Sequence, residues 1–118
     1  MTFRYDGPAP TAWVPLPLAA GVTAFTDAIN YPPPRYGVDE LGWGHLSGTL
    51  KAPYRSGAVL LLGTLPPDAR PVDTNIYACI GDGGLARVDV QDDGQVQLRD
   101  AGQGTVYLAL GHLVYRVG

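Results

Sequence analysis

Apolar positions in this chain come in short runs, several of them alternating with polar positions at a spacing of two. Glycine or proline interrupts each run before a long helix could form. Val59–Leu62 is a continuous apolar run stopped by Gly63, with turn signals on both sides. That length and setting predict a strand buried on both faces. Its exit, Leu65-Pro66-Pro67, removes two backbone donors and ends the strand. Upstream, Leu46-Ser47-Gly48-Thr49-Leu50 alternates and predicts a half-buried strand. Pro53 and Gly57 bound a turn between the two. The expected centre of the fold is therefore an antiparallel pair whose second strand lies deep in the core.

Residues 1–12 carry no periodicity and read as a lead-in, with residues 13–118 forming the domain. Trp13–Leu18 can be extended, but two prolines confine it to an edge or irregular strand. Gly21 turns the chain, and Val22–Phe25 predicts a short strand. Ile29-Asn30-Tyr31 leads into Pro32-Pro33-Pro34, a stiff left-handed segment. Tyr36–Leu50 is expected as one returning strand, with Trp43, His45 and Ser47 outward if Leu46 and Leu50 face inward. In Thr74–Ile80, Ile76, Ala78 and Ile80 share one face, and Tyr77 and Cys79 the other.

The most decidable geometry lies further on. Ala86-Arg87-Val88-Asp89-Val90 and Gln95-Val96-Gln97-Leu98-Arg99 both have apolar even positions. A two-residue turn would put these sets on opposite faces. A three-residue loop, Asp92-Asp93-Gly94, pairs Val90 with Val96 and Val88 with Leu98, and places Gly94 where a left-handed residue is needed. Val106–Leu108 and His112–Val117 supply the last strands. The fold class expected is all-β, an antiparallel β-sandwich of jelly-roll type with eight to ten short strands.

Composition narrows the function. The 118 residues make one domain, and 46% hydrophobic content argues against disorder despite 16 Gly and 11 Pro. A net charge of −3 gives no general attraction to nucleic acid or to an anionic membrane. The single cysteine, Cys79, excludes an intrachain disulfide and a thiolate-rich metal site. The apolar patch Val14–Phe25 is broken by Pro15, Pro17 and Gly21, so it is neither a signal-peptide core nor a membrane span.

Several motifs dissolve when their context is read. Gly81-Asp82-Gly83-Gly84 superficially matches a dinucleotide loop, but a strand follows where that loop needs a helix, so a turn is expected. Asp89, Asp92 and Asp93 lack the further oxygen ligands that calcium requires. His45 and His112 stand 67 positions apart (112 − 45) with no third metal ligand beside them in sequence. Cys79 reads as a small filler. No metal or cofactor is expected.

Aromatic residues are the better lead. Seven Tyr and two Trp against two Phe favour rings with a polar handle, suited to stacking on the C–H faces of sugars at a wet surface. Trp43, Tyr54 and Tyr77 lie near turns or at outward positions and are the candidate ligand-binding residues. Core or subunit packing is the competing reading for each.

The order of signals then carries a resemblance. It runs from Trp13 through Tyr31-Pro32-Pro33-Pro34-Arg35-Tyr36, Leu46-x-Gly48-x-Leu50, Leu65-Pro66, Arg70-Pro71 and the Asp93-Gly94 hairpin to Leu110-Gly111-His112-Leu113-Val114-Tyr115. This resembles the C-terminal receptor-binding heads of tailed-phage tail-fibre and minor tail proteins, over the chain from Trp13 onward. The resemblance implies a homotrimeric β-sandwich at a virion tail tip, or on a phage-derived particle, that binds host cell-wall polysaccharide or another surface saccharide without catalysis. No ligand residue carries over by position. Charged residues make up only 16% of the chain, which also favours a buried subunit interface. Two alternatives stay open: a structural trimerisation cap with no ligand of its own, and a glycan-degrading enzyme, for which only Ser47 and Ser56 could supply a serine.

Overall fold

The computed structural model describes residues 7–25, 31–55, 57–101 and 107–118. These form nine strands: β1 (Val14–Pro15), β2 (Thr23–Ala24), β3 (Arg35–Val38), β4 (Trp43–Lys51), β5 (Leu60–Thr64), β6 (Asn75–Gly81), β7 (Gly84–Val90), β8 (Gln95–Asp100) and β9 (Tyr107–Arg116). A 3-10 turn, Pro67–Ala69, follows β5 where two prolines forbid further ladder bonding. Strand pairing is antiparallel throughout, in the order β1-β3-β4-β9-β6-β7-β8-β5, with β2 also on β4.

The sheet curls into a half-barrel of sandwich-like form, so the all-β expectation holds. Its two ends are tied together. Leu18 bridges Gly63, and the Thr64 and Ala19 amides donate to Pro17 and Leu62 carbonyls at 3.1 and 2.9 Å. Inside the curl, Leu46, Leu50, Leu62, Val88, Leu98 and Leu108 have no exposed surface and belong to one continuous core.

The β7–β8 hairpin adopts the expected register, with Val90 opposite Val96 and Val88 opposite Leu98. Gln91 and Gln95 close the loop through a 2.9 Å bond, and Gly94 takes φ +90°. The Gly81–Gly84 segment is a tight turn from strand to strand, as expected. Val14–Pro15 lies at one end of the strand path, also as the prolines require. Ile29, Asn30 and Val106 fall outside the described residues.

Two expectations are overturned. The Val59–Leu62 run is not the central strand: β5 ends the strand path, pairs with β8 rather than β4, and leaves Val59 exposed and Leu61 37% exposed. Only one face of β5 meets the core, so the run delivers Leu62 inward and Leu61 outward. The second correction concerns Tyr36–Leu50, which is a hairpin and not one strand. Asp39 turns the chain: its Oδ1 accepts the Leu41 and Trp43 amides at 2.9 and 3.1 Å, and its carbonyl accepts the Gly42 amide at 3.1 Å. Within β4, His45 and Ser47 are buried instead of facing solvent. Pro10 and Ala12 lie over Gly37, the cross-strand partner of His45. Gly37 permits this, because a Cβ there would sit 2.6 Å from Pro10 and 2.7 Å from the Ala12 carbonyl.

Candidate functional site

Folding over Gly37 brings Trp13 onto the face that β3, β4 and β9 share. Across these strands Arg35 stands opposite Ser47, and Ser47 opposite His112, while His45 pairs with Gly37 and Val114 one step along. Cross-strand neighbours on one face lie close enough for side chains to interact.

The polar groups there form a linear chain of hydrogen bonds. The Asp39 carboxylate receives His45 Nε2 at 2.8 Å, and His45 Nδ1 meets His112 Nε2 at 2.7 Å. A carboxylate only accepts, so His45 Nε2 carries a proton. With His45 neutral, its Nδ1 is then the acceptor and His112 Nε2 the donor. That leaves His112 Nδ1 as an acceptor at the molecular surface. The Asp39 and His45 side chains are essentially inaccessible, at 0% and 1%, whereas His112 is exposed.

Trp13 caps this row half-buried. Its ring stands edge-on to His45 at 6.2 Å and His112 at 5.9 Å, and the Arg35 guanidinium lies 4.2 Å over the indole. Arg35 Nε is buried with no hydrogen-bond partner among the described residues. Burial, the neighbouring His45 and the Arg35 charge hold the His112 imidazole below its ordinary 6.5. The result is a surface imidazole, held from below through His45 by a buried carboxylate, beside a guanidinium and an indole. Such a group can hydrogen-bond hydroxyls from a preset direction.

The residues singled out by sequence are divided between two places. Trp43 and Tyr77 line one hollow of about 520 Å³ with Asp73, Asn75 and Arg116. Tyr77 donates its hydroxyl to the Val114 carbonyl at 2.9 Å, and burial, then the Cys79 charge, pushes it up to about 12. Tyr54 is a core residue instead. Its hydroxyl faces the Ala58 and Arg99 carbonyls at 2.9 and 3.1 Å, away from that hollow.

Sequence reading missed Trp13, Arg35, Asp39 and the pairing of the two histidines. One signal was present: Asp39 three residues before Gly42 marks a turn, which would have placed His45 across from it. Nothing local announces His112. Among the described residues, no group of three His, Cys, Asp or Glu is placed to hold a metal ion. No helix among them is long and apolar enough to cross a membrane.

Among solved structures, the chain superimposes on the receptor binding protein (gp15) of Listeria phage PSA with a TM-score of 0.68 and 18% identity. The match covers 91% of this chain. The fold is similar to that of a phage receptor-binding protein. This chain spans 65% of that protein's length. No protein-family model and no curated protein sequence matches it.

Proposed function

We propose that this chain is the receptor-binding head of a phage tail, or of a phage-derived particle, and that it holds a host surface saccharide without cleaving it. The observation carrying this reading is the Asp39–His45–His112 chain, which ends at an exposed imidazole beside Trp13 and Arg35. A purely structural network would satisfy its last member inside the protein. Here the chain ends on an exposed imidazole, next to an aromatic surface and a guanidinium, the mixture that a sugar's hydroxyls and C–H face require. The receptor-binding protein with a similar fold supports the same reading.

The head acts as a homotrimer in this proposal. The outward side of β6 and β7 supports that, since Ile80 and Leu85 face each other across the ladder at 67% and 77% exposure, with Ile76 nearby. Three weak sites on one particle would give useful avidity on a repetitive wall polymer. Light scattering should return three times the 12.5 kDa chain mass.

A second reading places the sugar in the Trp43–Tyr77 hollow, favoured by the Asp73, Asn75 and Arg116 side chains around it. Binding of the purified chain to intact host cells or wall polysaccharide separates the readings, with release of soluble sugar followed in parallel. His112→Ala and Arg35→Ala should each weaken binding about tenfold, the loss of one hydrogen bond to a charged or polar ligand group. If only Trp43→Ala weakens it, the site is the second hollow. Absence of any binding would favour a structural cap, and sugar release an enzyme.

A further inference from the structure

Lys51 lies four residues along β4 from Ser47, about 13 Å away at roughly 3.3 Å per residue. There the sheet carries a second, chemically different surface. Thr23, Lys51 and Tyr107 stand in one cross-strand row on β2, β4 and β9. Phe25 packs against Tyr107 at 4.6 Å between ring centroids and against Tyr31 at 5.1 Å. The Lys51 ammonium sits 5.7 Å from the centre of the Tyr107 ring and 5.9 Å from that of Phe25. A hollow of about 370 Å³ opens beside these rings, with Thr49 and Asp82 also in its wall.

Two features of this cluster exceed what packing needs. Tyr31 and Tyr107 are 45% and 40% exposed, so their rings present open faces although Phe25 sits between them. Among the described residues Lys51 makes no ion pair, and its ammonium lies over the Phe25 and Tyr107 rings. Asp82, on the far side, is anchored to β9: its amide donates to the Tyr107 carbonyl at 3.1 Å, and its Oδ1 accepts the Tyr107 amide at 3.3 Å. A carboxylate in the wall of the hollow and an ammonium over the Tyr107 ring beside it admit a ligand with a single anionic group, oriented toward Lys51.

We propose that this hollow is a second ligand site, which takes a sugar unit carrying one phosphate or carboxylate. The sugar ring lies on Tyr31 and Tyr107, the anion meets Lys51, and Asp82 accepts from a hydroxyl. The site deepens the saccharide reading of the head and rests on it. It would make the head selective for charged over neutral wall polymers.

Aromatic NMR titration of the whole chain with glucose 6-phosphate, glucuronate, glucose and inorganic phosphate tests this. Glucose 6-phosphate or glucuronate should shift the Tyr31 and Tyr107 resonances and bind about tenfold more tightly than glucose. Whichever binds more tightly names the anion. Lys51→Met should reduce the charged sugars to the level of glucose, and Tyr31→Ala, outside any strand, should weaken every sugar probe at unchanged melting temperature. The proposal is overturned if neither tyrosine shifts, if Lys51→Met leaves the preference intact, or if inorganic phosphate alone binds as tightly as the sugar phosphate. Shifts confined to Trp13 and His112 would sink this second site while leaving the proposed function standing.

Discussion

Strands β4 and β6 invert each other. β4 buries His45 and Ser47, while β6 turns Ile76, Ala78 and Ile80 to solvent and keeps Tyr77 partly and Cys79 fully covered. Both strands alternate, but a hydropathy pattern alone points the wrong side outward only in β6; in β4 it assigns the faces correctly and misses that the outer one is covered. What differs is their cover. The outer face of β4 lies under the leading segment and Trp13, so polar groups there must be paired, and Asp39, His45 and His112 pair one another. The outer face of β6 has no such cover among the described residues. Its apolar side chains are left available, which is why that face is where self-association is proposed.

The sharpest way to break this contrast is to place a carboxylate on each strand. Leu46→Asp, on the inner face of β4, should abolish folding, since an unpaired buried charge costs several kcal/mol against a total of about 5–15 kcal/mol. Ile80→Asp should leave monomer stability within about 0.5 kcal/mol and reduce self-association. Urea unfolding and light scattering read both. An equal loss in the two variants would mean that β6 is covered.

Next in size is the network under β4. Asp39→Ala removes the acceptor of His45 and of two backbone amides, and should cost about 2–3 kcal/mol in urea unfolding. It should also weaken the proposed saccharide binding, because His112 loses its fixed orientation. Unchanged stability would show that the chain of hydrogen bonds does not hold in solution.

A smaller effect follows from pH. His112 is held below its ordinary 6.5 by burial, His45 and Arg35, so the unfolded chain takes up that proton first. The stability tied to this group is complete above about pH 6.5 and declines as pH falls below that value, until the folded protein also protonates. Melting temperatures from pH 8 to pH 5 should therefore drop more steeply for the native chain than for His112→Gln. Parallel slopes would count against the placement of His112 beside His45 and Arg35.

The smallest effect probes the inner face of β6. Burial pushes the Cys79 thiol up to about 11, and it touches the Leu110 carbonyl at 3.8 Å. Iodoacetamide at pH 8 should leave it unmodified until denaturant is added. Rapid labelling of the native chain would show that β6 presents its other face to the core.

Much of the secondary structure was legible because it is local. The Asp92-Asp93-Gly94 loop and the apolar even positions beside it allow only one register, and that register is observed. The prolines confined β1 to two residues at the end of the strand path, and glycine and proline spacing ruled out long helices. Burial was not legible in the same way. A strand's alternation says which residues share a face, but not which face meets another layer. The run Val59–Leu62 looked central and lies at the end of the path, because its partner is β8, some 35 positions on in sequence, and its outer face stays open. Asp39, His45 and His112 became one site only because the β3–β4 turn and the β4–β9 ladder place them within hydrogen-bonding distance. That proximity is a property of the closed sheet, and it costs chain entropy that only the assembled core repays.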